Sequence, residues 1–204
     1  MKKKFGMTTG LLMIVVLLVS MAIGAAGAKY VSQEQTAGQV TITADIGTIV
    51  LQESKANRQP SGAYTLDTAN QVAENSYELI PGLDIPKDPH VVITKPDALP
   101  VYVYVEVDTN IPASSAVVYQ LADCWKLVSG TPNVYVYSDN NGPIAVTSSI
   151  ERLDILTKPE GSLHEIRVGQ ELNLSGEVNL TFHAYMYQAI AGKTAAEVYQ
   201  EFHK

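Results

Sequence analysis

From residue 101 to 107 the chain reads Val101-Tyr102-Val103-Tyr104-Val105-Glu106-Val107, and from 178 to 187 it alternates again, with Val178, Leu180, Phe182, Ala184 and Met186 between Asn179, Thr181, His183, Tyr185 and Tyr187. A period of two is the mark of a half-buried strand, because successive side chains leave a pleated backbone on opposite faces. The same period governs shorter runs: Val40–Thr43, Thr48–Leu51, Val91–Thr94, Val134–Tyr137, Ile150–Leu156 and Ile166–Val168. Short strands of this number, rich in β-branched and aromatic residues, predict an all-β fold, a jelly-roll-like sandwich of two sheets. Asp139-Asn140-Asn141-Gly142 closes one of them as a turn, since these residues tolerate left-handed backbone. After the last strand the period changes. Thr194 can cap a short C-terminal helix whose apolar face would be Ala195, Ala196, Val198, Tyr199 and Phe202, packed on one end of the sandwich. The polar stretch Ser54–Asn75, with Pro60 and Gly62 and little periodicity, reads as a long loop.

Met1-Lys2-Lys3-Lys4 is a compact basic start, followed by an apolar run from Leu11 to Ile23 and the small-residue patch Gly24–Ala28. Ala26 and Ala28 supply the small side chains a signal peptidase needs, so residues 1–28 read as a signal peptide cut after Ala28 and residues 29–204 as one domain. The rival reading is a retained anchor, since the uncharged span Gly10–Ala28 approaches the roughly 20 residues that cross a bilayer. Contact with the membrane is expected through this uncleaved segment alone. Cleavage would remove three lysines and no acid, leaving 11 basic against 21 acidic residues. Such a balance argues against nucleic acid, whose phosphates repel an acidic protein. The expected address is secreted, at the cell surface or in the extracellular matrix. The single cysteine, Cys124, excludes an internal disulfide and a cysteine-built zinc site.

Motifs of catalysis are missing from the sequence. His90, His164, His183 and His203 form no H-E-x-x-H pair, and there is no G-x-S-x-G elbow, P-loop or G-x-G-x-x-G. An EF-hand begun at Asp139 would need Glu where Ile150 stands. No catalytic, metal or cofactor residue is assigned, and the chain reads as a non-enzyme. His183 is expected to be solvated on the polar face of its strand, and Cys124 to be a small buried thiol. Tyr102, Tyr104, Tyr135, Tyr137, Tyr185 and Tyr187 either make a binding face or pair across strands to stabilise the sheet, the second being the simpler use.

Between Tyr77 and Val91, Pro81, Pro86 and Pro89 fix φ and remove amide donors, which makes a rigid extended connector rather than a ladder strand. Taken together, the small-residue patch before Lys29-Tyr30-Val31-Ser32, the passage Pro81-Gly82…Ile85-Pro86-Lys87-Asp88-Pro89, the Val101–Val107 strand and the ending Ala184-Tyr185-Met186-Tyr187-Gln188 with its Ala-rich helix resemble the camelysin/TasA-like group of exported proteins of Gram-positive bacteria. The chain departs from that group at Gln33, where many members carry an aspartate. The resemblance implies a jelly-roll subunit, processed by a dedicated signal peptidase, that self-associates into filaments of the biofilm matrix. It implies donor-strand complementation, in which the N-terminal segment of one subunit completes a sheet of the next. The residues that would do so here are Lys29, Tyr30 and Val31, extending into Val40 and Ile42. Two other readings stay open: a monomeric secreted module that binds a glycan or surface protein, and a camelysin-like surface metalloprotease.

Overall fold

The structure is a computed structural model, and it describes residues 31–34, 46–96, 99–174 and 176–203. In chain order the strands are β1 (Val31–Glu34), β2 (Thr48–Arg58), β3 (Tyr64–Val72), β4 (His90–Thr94), β5 (Val101–Thr109), β6 (Val117–Leu121), β7 (Trp125–Leu127), β8 (Val134–Asp139), β9 (Gly142–Pro143), β10 (Ile150–Asp154), β11 (Leu156–Thr157), β12 (Ile166–Val168) and β13 (Leu180–Gln188), followed by helix α1 (Ala195–Phe202). One sheet runs β1-β13-β5-β8-β7 with β9 on β8, a second runs β10-β4-β2-β3, and a small third places β6 with β11 and β12. The fold is an all-β sandwich with one short C-terminal helix.

Its core lies where the two large sheets face each other. Val101, Val103, Val105 and Val107 of β5 and Phe182, Ala184 and Met186 of β13 meet Ile49 and Leu51 of β2, Val91 and Ile93 of β4 and Leu153 of β10. β5 and β13 pair antiparallel along their whole length, from Val101 opposite Gln188 to Thr109 opposite Leu180, so both alternations bury the same face.

Three expectations are corrected. The stretch Ser54–Asn75 is not a long loop: β2 continues to Arg58 and turns at Gln59–Ala63 into β3. Its polarity reflects a solvated ribbon rather than absent structure. β4 covers β2 along Thr48–Gln52, and beyond that point side chains take the place of a neighbouring strand. Ser54 N donates to Asp88 Oδ1 (2.8 Å), Ala56 N donates to Asn75 Oδ1 (2.7 Å), and Asn75 Nδ2 donates to Ser54 O (2.9 Å). These bonds satisfy backbone groups that an open edge would leave bare.

The helix is the second correction. Thr194 caps it as expected, its hydroxyl accepting from Glu197 N while Glu197 Oε2 accepts from Thr194 N (2.7 Å), a reciprocal capping box. It packs not on an end of the sandwich but on the outer face of the β13-β5-β8 sheet, where Ala195, Val198 and Tyr199 cover Tyr104, Val134, Val136, Tyr185 and Tyr187. The proline-rich connector is the third correction: it is not extended throughout but turns at Pro81–Gly82, where Leu83 N donates to Ile80 O (3.0 Å) and Gly82 takes a φ of 77°, before the bridge between Ile85 and Ile166. Next to it, the Asp84 carboxylate accepts from Leu163 N, Val168 N and Ser162 Oγ. Desolvation pushes that carboxyl up, but the three hydrogen bonds outweigh it and hold it below its ordinary range.

Candidate functional site

The sequence singled out three groups of residues, one for assembly and two for which a structural use was the simpler reading, and they fare differently. The assembly segment is the first. Of Lys29, Tyr30, Val31, Val40 and Ile42, only Val31 lies within the described residues, as do neither of the cleavage residues Ala26 and Ala28. Val31 opens β1, which pairs antiparallel with β13 in the register Val31–Tyr187, Ser32–Met186, Gln33–Tyr185 and Glu34–Ala184. β1 is thus the edge strand of the large sheet, and β13 is the strand that receives it.

The tyrosine face is the second, and α1 closes it. Tyr104, Tyr185 and Tyr187 are buried, and each hydroxyl has a partner: Tyr104 donates to Ala195 O (2.7 Å), Tyr185 donates to Glu106 Oε2 (2.8 Å), and Tyr187 bonds His203 Nδ1 (3.0 Å). Rings pack from sheet to helix, Tyr104 tilted against Tyr199 at 5.3 Å between centroids and Tyr187 stacked on Phe202 at 5.5 Å. Burial pushes all of these hydroxyls up in pKa, Tyr199 to about 12. Tyr135 and Tyr137 point the other way, into the main core, with Tyr137 tilted against Trp125. This face is a packing layer.

The histidines are the third. His183 is not solvated: its side chain is 21% exposed, Nε2 lies 3.4 Å from Asp108 Oδ2, and Nδ1 is buried without a partner. Cys124 is half-buried, and desolvation pushes its thiol up, away from a reactive thiolate. Among the described residues, no group of three or more His, Cys, Asp or Glu side chains is placed to hold a metal ion. No helix among them is long and apolar enough to cross a membrane.

The site that sequence reading missed is a cleft of about 1020 Å³ between β2, the proline-rich connector and the segment leading into β13. Its floor holds a buried ion pair, Lys87 Nζ donating to Glu53 Oε2 at 2.6 Å, with side chains 10% and 4% exposed. Glu53 Oε1 is buried and has no donor among the described residues. Lys87 also lies over the Tyr77 ring, 5.7 Å from its centroid, and the Tyr77 hydroxyl donates to Pro86 O (3.1 Å). Burial, with the charges of Glu53 and Asp88 behind it, pushes that hydroxyl up. A signal for this site was present in the sequence: Ile49, Leu51 and Glu53 share one face of β2, so the period that buries the first two also buries the carboxylate. Comparison with family models, with curated proteins and with solved structures finds no match for the chain.

Proposed function

We propose that the chain is an exported structural subunit, of the camelysin/TasA-like kind, that assembles head to tail into extracellular fibres through its N-terminal strand. The observation that carries this reading is the position of β1. A strand close to the start of the mature sequence lies at the edge of the large sheet and is held there by main-chain pairing with β13. Main-chain pairing does not depend on which copy supplies the strand, so the same register is available to the N-terminus of a neighbour. A contact of that kind joins two different surfaces and propagates without closing. β3, an edge of the second sheet, is largely polar and bulged where its register slips opposite Ser54 and Lys55, which makes it a poorer template for an added strand.

The test starts from the mature chain, Lys29 onward, followed by gel filtration and negative-stain electron microscopy. Filaments, or a ladder of oligomers, are expected, and deletion of Lys29–Gly38 should abolish them while the far-ultraviolet β signal persists. A stable monomer at every concentration and pH, or normal fibres from the deletion, would overturn the proposal.

A further inference from the structure

The cleft above Glu53 has the features of a ligand site, and they come from elements other than the β1 edge. A buried carboxylate normally uses both oxygens, because an acceptor taken out of water and left bare is costly. Here Lys87 occupies Oε2, and Oε1 remains without a donor on a residue that is 3% exposed. A donor that reached this oxygen from the cleft, on a small turn of the Glu53 side chain, would complete the carboxylate. Charge narrows the choice. Lys87 is the one base among the cleft's lining residues, and it is committed to Glu53, while Glu74 and Glu177 stand exposed in the same lining. An anion would meet three carboxylates and no free base. The rest of the wall sets apolar side chains, among them Leu79, Ile85, Leu172, Leu180 and Phe182, beside the polar Gln52, Asn75, Ser76, Asn179 and Thr181. At about 1020 Å³ the cleft is at the upper end of the range of small-molecule pockets.

We propose that this cleft binds a small amphipathic primary amine, its ammonium donating to Glu53 Oε1 and its aliphatic body lying along Leu79, Leu172 and Leu180. The carboxylate then accepts from two ammonium groups, one on each oxygen, and both of these bonds are charge-assisted. The apolar wall sets the preference for an aliphatic chain, and the carboxylate sets the preference for the head.

Isothermal titration of the full chain with octylammonium, octan-1-ol and octanoate, each below its micellar concentration, tests the proposal. Octylammonium should saturate a single site, with octanol and octanoate weaker by about tenfold or more, the size of one charge-assisted hydrogen bond. Glu53→Gln should lower octylammonium affinity by about the same factor. Because that change also leaves Lys87 without its carboxylate, a second variant decides the matter if the first fails to fold. Leu172→Trp sets an indole where the aliphatic body of the amine would lie, leaves the ion pair intact and should weaken octylammonium binding by about tenfold or more while the protein stays folded by circular dichroism. Equal binding of octanol and octylammonium, affinity unchanged in both variants, or no saturable binding of octylammonium would each overturn it.

Discussion

Two regions of this molecule bury polar groups outside the main core, and they do so in opposite ways. Under α1, the buried hydroxyls of Tyr104, Tyr185 and Tyr187 each have a partner, and aromatic rings pack from sheet to helix. Above β2, the Glu53–Lys87 pair is buried beside an open cleft with one carboxylate oxygen unmatched. A saturated network fixes one packing and has no capacity left for a ligand. An unsaturated one costs stability, and groups of that kind persist where binding supplies the missing partner. The difference separates the layer that holds the fold from the cleft that is free to recognise something.

The largest effect is expected at the cleft. Lys87→Met removes the counter-charge and strands a buried carboxylate, which should cost about 3–5 kcal/mol, read from the midpoint of urea unfolding. Replacing both partners, Glu53→Leu with Lys87→Met, should return most of that loss, because the pair owes much of its apparent value to the penalty of leaving one charge alone. A silent Lys87→Met would mean that water reaches Glu53 freely, and the contrast between the two regions would collapse.

Legibility in the sequence follows the same divide. The inner faces of β5 and β13 were readable because Val101, Val103, Val105, Val107 and Phe182, Ala184, Met186 are apolar at every second position, and burial rewards that pattern directly. The outer faces were not. Tyr104 and Tyr187 occupy positions that local alternation assigns to solvent, and they are buried because a helix more than ten residues beyond the strand's start folds back across them. β3 was invisible for the converse reason: Thr65, Asp67, Thr68, Asn70 and Gln71 bury little, and a hairpin fixed by Asn75 and Asp88 side chains leaves no periodic trace. The short strands β6 and β7 were missed as well, being five and three residues long with weak alternation. Glu53 was legible in principle. Its position on the face of Ile49 and Leu51 marks a buried acid, but naming Lys87 as its partner requires knowing that the connector between Pro86 and Pro89 crosses β2.

Alkaline titration examines the saturated layer next. Burial raises the folded-state pKa of Tyr104, Tyr185, Tyr187 and Tyr199, and for Tyr185 the hydrogen bond to Glu106 adds to it. The neutral hydroxyl is the form the fold keeps, so the stability it contributes is whole below the unfolded value near 10 and is lost as pH rises from there through the folded value. Tyrosinate absorbance from these four should therefore appear together with the loss of circular dichroism from the sheet, not before it. Single Tyr→Phe variants assign the signal. Ionisation of Tyr104 or Tyr187 in a protein that is still folded would show that the helix does not seal the layer.

The smallest effect is at the start of α1, and it tests whether the two regions are independent. Thr194→Ala removes the hydroxyl that accepts from Glu197 N and breaks the reciprocal cap, at a cost of about 1 kcal/mol. The expected sign is a lower melting temperature and faster hydrogen exchange at Val198, whose amide donates to Thr194 O in the first turn. Thr194→Ser should restore most of both. Since no residue of α1 lines the cleft, octylammonium affinity should be the same in Thr194→Ala as in the parent chain. A change there would mean that the tyrosine layer transmits strain through β13, whose inner residues Leu180 and Phe182 line the cleft while Tyr185 and Tyr187 support the helix. In that case the strand that receives β1 would couple assembly to ligand.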